Sequence, residues 1–204
     1  MLIGVPGIDG AGYDRAYGVR LLLEHASEAG AHTVALIGVE PAPGALLHRD
    51  RKFMSLEADV RARDMTLAAC VPLPTGEPRG PGLYRLAYEH TAHALKSGLK
   101  ADYFLGANDT IALGVMHALM DAGLRVPEDV IVSGYDNHEC SLYSRPTLTT
   151  VERPVDDAVE IAWGLLRRRI AGEKGEARTI TLQPRLIPRD STRKASTPPA
   201  GGLA

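Results

Sequence analysis

Residues 103–137 read YFLGANDTIALGVMHALMDAGLRVPEDVIVSGYDN. The stretch opens on an apolar run, Tyr103–Leu105, and closes on another, Val130–Ser133. Between them Ile111, Val115 and Leu119 recur every four residues, the period of one buried helix face. Asp109 is the expected N-cap of that helix, and Gly123, just past its end, is the expected stop. Strand, helix and strand within about 30 residues make a βαβ unit, whose two strands lie parallel.

The same alternation extends in both directions. Upstream, Leu2–Val5 is a short apolar run, and Tyr13–Ala29 is a helix with Val19, Leu22, Leu23 and Ala26 on one face and Gly30 as its stop. Thr33–Gly38 reads as a strand, His48–Arg63 as a charged amphipathic helix, and Met65–Val71 as another apolar run. Pro72–Pro81 is dense in Pro and Gly and reads as a loop, followed by a helix over Leu83–Leu95. Downstream, Leu148–Val151 is a strand. Pro154–Ile170 is a helix with Val155, Val159, Ala162, Leu166 and Ile170 at helical spacing, and Trp163 beside that stripe is expected to pack. Thr179–Leu182 and Leu186–Ile187 are short strands, and from Ser191 the chain is polar, small and Pro/Gly-rich. The pattern predicts an α/β fold with a parallel sheet flanked by helices, and no repeat of fixed period interrupts it.

Composition narrows the function classes. The 204 residues carry 23 Lys+Arg against 25 Asp+Glu, a balance unlike that of a chain that grips nucleic acid through bulk charge. Two cysteines, Cys70 and Cys140, are too few for a disulfide framework or a four-cysteine zinc site. No apolar run reaches the roughly 20 residues of a membrane helix, and Met1–Gly10 lacks the basic start of a signal peptide. The expectation is a soluble cytoplasmic protein.

In an open parallel sheet, ligands bind outside the carboxyl ends of the strands. Three loops qualify: Val39–His48 leading into Arg49, Gly106–Asp109, and Gly134–Asn137. They present the Arg49 guanidinium, the Asn108 carboxamide and the Asp136 carboxylate. Such planar, multidentate groups suit a small ligand with hydroxyls, amides or a carboxylate. Each also has a plainer reading: Arg49 as a solvated helix residue, Asn108 as a turn former, Asp136 as an Asx-turn. His90 and His93 lie three apart on a helix, with no third ligand nearby in sequence. Gly7-x-x-Gly10-x-Gly12 after the first apolar run is a partial dinucleotide-binding pattern. Arg15 stands where its third glycine belongs, so a nucleotide-cofactor enzyme is a weak alternative.

Five ordered segments resemble the effector-binding domain of the LacI/GalR family of transcription regulators. They are Ala107-Asn108-Asp109-Thr110-Ile111-Ala112-Leu113-Gly114, the run from Gly123 to Val130 (GLRVPEDV), Gly134-Tyr135-Asp136-Asn137, the run from Pro146 to Val151 (PTLTTV), and the run from Pro184 to Thr192 (PRLIPRDST). Gly30–Ile37 and Arg49-x-x-x-Phe53 echo further family motifs. The resemblance implies a periplasmic-binding-protein-like type I fold, present as a C-terminal lobe plus part of an N-terminal lobe. It implies residues 1–146 as the C-terminal-type lobe, 147–178 as a crossover returning to the incomplete N-terminal lobe, 179–190 as closing strands and 191–204 as a flexible tail. It implies a sensor rather than an enzyme, with Arg49, Asn108 and Asp136 contacting a small effector (sugar, nucleobase or small acid). It requires no cofactor and no metal. Partners would be a second copy, through the helix at Asp109–Ala122 and Tyr143, and DNA only through a helix-turn-helix headpiece not present in this chain. A periplasmic-type sugar receptor shares the fold and stands as the alternative.

Overall fold

The computed structural model describes residues 8–38, 53, 55–74 and 81–193. In chain order the elements are β1 (Gly10–Tyr13), α1 (Arg15–Glu28), β2 (Thr33–Ile37), α2 (Leu56–Arg61), β3 (Thr66–Val71), α3 (Pro81–Lys96), β4 (Tyr103–Gly106) and α4 (Asp109–Asp121). There follow β5 (Ile131–Ser133), α5 (Cys140–Tyr143), β6 (Thr150–Glu152), α6 (Val155–Ile170), β7 (Thr179–Leu182) and β8 (Arg185–Ile187). A 3₁₀ turn, Asp190–Thr192, comes after β8.

Four strands form a parallel sheet in the order β3-β2-β4-β5. All four residues of β4 are buried, as expected for a central strand covered on both faces. The crossover from β2 to β3 runs one way across the sheet, and those from β3 to β4 and β4 to β5 run the other. Right-handed crossovers therefore put α2 on one face and α3 and α4 on the opposite one. The contacts agree, since α3 packs on α4 and α1 on α2.

The helix periods read from sequence mostly point inward as expected. Val19, Leu22, Leu23 and Ala26 of α1 are buried, as are Ile111, Val115 and Leu119 of α4. Gly30 and Gly123 end those helices with φ of 84° each, a conformation that glycine adopts without a steric cost. Helix α1 starts later than the sequence indicates, because Tyr13 belongs to β1 and Asp14 caps the helix by accepting from Tyr17 N at 2.9 Å.

Three expectations need correction. Asn108, not Asp109, caps α4: its Oδ1 accepts from Ile111 N at 2.9 Å, while Asp109 is fully buried. Gly10 and Gly12 do not form a phosphate loop; they sit inside β1, paired with β7. On α6 the buried residues are Ala158 and Leu165, whereas Val155, Val159, Leu166 and Ile170 face outward. Trp163 faces outward with them and is 56% exposed. Of the helix expected over His48–Arg63, the described part is α2, with Leu56 and Val60 buried; the run Leu2–Val5 lies outside the described residues.

The other strands form two pairs, β1 with β7 in parallel and β6 with β8 antiparallel. Helix α6 packs on β1, and α1 packs on β6 and β8. Ser191 and Thr192, expected at the head of the flexible tail, are instead buried: Ser191 Oγ donates to Val132 O at 2.6 Å, and Thr149 and Thr192 share a hydroxyl contact of 2.7 Å.

Candidate functional site

The topology selects one edge of the sheet. β2 and β4 are neighbours, and the chain leaves them in opposite directions, to β3 and to β5. The loops beyond their carboxyl ends must diverge, which opens a crevice at that point. Asn108 follows β4 there. Its side-chain oxygen is engaged in capping α4, and among the described residues its amide NH₂ has no partner. That NH₂ is a donor of the kind a ligand oxygen accepts from.

Asp136 follows β5 at the same edge. Asp109 N donates to Tyr135 O at 2.9 Å, and His138 N donates to Asp109 Oδ2 at 2.7 Å, so the Asn108 loop and the Asp136 loop are stitched together. Arg49 lies outside the described residues. Two of the three side chains expected at the site therefore have described positions, and their loops are joined.

Sequence reasoning missed one partner of Asp136. Arg153 follows β6, and its Nε lies 2.9 Å from Asp136 Oδ1. Its guanidinium also donates from NH1 to the Tyr13 hydroxyl at 3.2 Å. Partial burial opposes the Arg153 charge, but the Tyr13 hydrogen bond and the Asp136 carboxylate more than offset it, so its pKa lies above the ordinary arginine value. The Arg15 guanidinium sits 5.5 Å from the centre of the Tyr13 ring. Tyr135 O–H donates to Arg15 O at 3.1 Å and lies against Gly18, where any side chain would collide with it. The ends of β1 and β6 and the loop after β5 thus meet at one point. The signal for Arg153 was topological: Pro154 holds the preceding residue extended, and β6 ends beside the loop after β5.

This arrangement sets an acceptor pair beside a donor fork. A ligand hydroxyl can donate to the Asp136 carboxylate while its neighbour accepts from Arg153. His138 Nε2 stands 3.9 Å from Asp136 Oδ2. Arg153 also lines a cavity of about 430 Å³, together with Glu152, Asp157, Gln183 and Arg185. Among the described residues no three His, Cys, Asp or Glu side chains are grouped to hold a metal ion, and no helix is long and apolar enough to cross a membrane.

The model of the periplasmic binding protein-like domain matches residues 23–192 of this chain. The chain belongs to the periplasmic binding protein-like domain family. Within it the likeness runs to regulators. The "HTH-type transcriptional repressor PurR" of Vibrio vulnificus is 41% identical over 87 residues, which cover 43% of this chain and 26% of the repressor. The match therefore spans about a quarter of the relative's length. A LacI family transcriptional regulator from Enterococcus faecium, solved with bound ribose, superposes with a TM-score of 0.71 at 27% identity, covering 92% of this chain and 66% of that one. Another from Enterococcus faecalis, also with bound ribose, gives 0.72 at 25% identity, covering 95% and 67%. The periplasmic binding protein-like fold expected from the sequence is the one observed.

Proposed function

We propose that this chain is the effector-sensing part of a LacI-type transcriptional regulator, binding a small polyhydroxylated molecule at the carboxyl edge of the parallel sheet. The observation that carries the reading is the Asp136–Arg153 pair at 2.9 Å, set beside the Asn108 loop where the chain direction reverses. Adjacent acceptor and donor groups complement the vicinal hydroxyls of a sugar. The ribose in two similar regulators supports the same class. Arg49 would complete the site from the loop after β2. On this reading the C-terminal-type lobe runs to residue 146, except that β1 pairs with β7 and so goes with a second, incomplete lobe, to which 147–178 and 179–190 return. The chain acts by binding rather than by turnover, in the cytoplasm. Effector occupancy would shift a closure equilibrium and so control DNA contact by a helix-turn-helix headpiece outside these 204 residues.

A second copy is the expected protein partner. Tyr84, Tyr88, His117 and Met120 line a groove between α3 and α4, and Tyr143 and Leu142 stand exposed on α5 nearby. Sedimentation of the protein and of Tyr143→Asp tests this contact: a dimer that the substitution splits supports it, and a wild-type monomer at high concentration rejects it.

Thermal-shift titration with sugars and nucleobases tests the site. A ligand at about 100 times its dissociation constant stabilises by about 2.7 kcal/mol. Asp136→Ala should remove the shift found with the wild-type chain. A full shift in that variant would take Asp136 out of the site.

A further inference from the structure

We infer that Asp109 is a positioning residue for the effector site: its buried carboxylate clamps the loop that carries Asp136 to β6, the strand that delivers Arg153. The inference rests on the proposed sensor reading and concerns a residue that contacts neither pair member directly.

Asp109 is fully buried at the first turn of α4. A carboxylate without water needs its lone pairs filled, and here three donors fill them. Oδ1 accepts from Thr150 Oγ1 at 2.5 Å, and Oδ2 accepts from His138 N at 2.7 Å and Ser141 Oγ at 2.8 Å. Those donors belong to β6, the Asp136 loop and α5. The fit leaves no slack, since a side chain at Gly134 would collide with the carboxylate.

The Asp136 loop needs such a clamp. Asp136 and Asn137 have φ of 116° and 53°, left-handed backbone that is strained for a residue with a side chain. Such geometry persists only where the surroundings fix it. Three successive amides are fixed: Asp136 N donates to Val151 O at 3.0 Å, Asn137 N to Thr150 Oγ1 at 3.3 Å, and His138 N to Asp109 Oδ2. The Thr150 hydroxyl is thus the shared link. It accepts from the loop and donates its proton to Asp109, which also holds the loop's next amide. Break that link and Asp136 loses its fixed spacing to Arg153.

Two variants remove one donor each from the same carboxylate and so cost similar stability, but only one touches the loop. Thr150→Val removes the shared link; Ser141→Ala removes only the tie to α5. Amide hydrogen exchange on the unliganded chain reads the difference. Thr150→Val should speed exchange at Asn137 and His138 by about tenfold, with β4 amides unchanged. Ser141→Ala should leave Asn137 and His138 within about twofold. Asp109→Asn, where it folds, should resemble Thr150→Val with a larger effect, because an NH₂ then faces donors. Equal effects of Thr150→Val and Ser141→Ala, or no change at Asn137 and His138, would overturn the clamp. D-ribose titration of the same variants judges the sensor reading separately. Weaker binding in Thr150→Val than in Ser141→Ala supports both, and binding that survives Asp136→Ala rejects the site while the exchange rates still decide the role of Asp109.

Discussion

Helices α4 and α6 carry the same kind of apolar period, and the protein treats them oppositely. In α4 the period faces the sheet, and Ile111, Val115 and Leu119 are almost wholly shielded. In α6 Val155, Val159, Leu166 and Ile170 of the period face out, and Trp163 beside them does too, with Ile170 74% exposed. The reason is what each helix has to cover. α4 lies on a four-stranded sheet, which can bury a wide stripe. α6 lies on β1 beside β7, a two-stranded pair, and the small Ala158 and the Leu165 side chain suffice to meet it. An amphipathic period shows that a face is apolar, not that this face is the one covered.

The sharpest way to break this comparison is a matched pair of truncations. Leu119→Ala removes fully buried atoms and should cost about 2–5 kcal/mol by urea unfolding. Leu166→Ala, on the outward stripe, should stay within about 0.5 kcal/mol. Trp163 is the only tryptophan, so its fluorescence reports on α6 alone. Emission should be red-shifted and strongly quenched by acrylamide. A large cost at Leu166, or a shielded tryptophan, would mean that α6 has a partner in solution.

The two regions also differ in how legible they were. Around α4, local signals agreed with one another: a helical period, a glycine stop, and apolar runs short enough to be strands. The loops holding Asn108 and Asp136 followed from the rule that ligands gather at carboxyl ends. The choice of cap did not follow, because Asn and Asp cap equally well and stand side by side at 108 and 109. What separates them is tertiary: Thr150, Ser141 and the His138 amide supply donors that only the buried Asp109 can reach. β1 was hidden for a related reason. Gly10-Ala11-Gly12 has little intrinsic strand preference and is a strand because β7, about 170 residues away, pairs with it. Arg153 carries no local signal, since nothing in Glu152-Arg153-Pro154 says that Asp136 will lie across from it.

A smaller effect sharpens the boundary between the regions. His25 on α1 shares a 2.7 Å contact with Thr192 of the 3₁₀ turn. Burial pushes its pKa below the usual histidine value, and Glu28 opposes this only in part. A lowered folded pKa means that the folded state prefers neutral His25. Its contribution is therefore present above the ordinary value near 6.5 and is lost as the pH falls. The urea midpoint should decline between about pH 7 and pH 5, and His25→Gln should flatten part of that decline. An unchanged pH profile in the variant would place the titration elsewhere.

The smallest expected effect lies in the α6 region itself, at its surface. Asp9 accepts from Arg169 Nε at 2.6 Å, from Arg169 NH2 at 3.0 Å and from Arg178 N at 2.7 Å. The same guanidinium donates to the carbonyls of Glu173, Gly175 and Glu176, closing the loop that carries the chain from α6 into β7. The Arg169 and Arg178 hydrogen bonds lower the Asp9 pKa to about 2. The sign is the reverse of the His25 case: the charged form is favoured, so the contribution is present above the ordinary value of 3.8 and is lost as the pH falls toward 2. Solvent reaches this pair, so Asp9→Asn should lower the melting temperature only slightly at neutral pH. The difference from wild type should shrink further in acid, and it should shrink in high salt as well. A loss as large as that of Leu119→Ala would show instead that the loop, and with it the register of β7 on β1, depends on this one arginine.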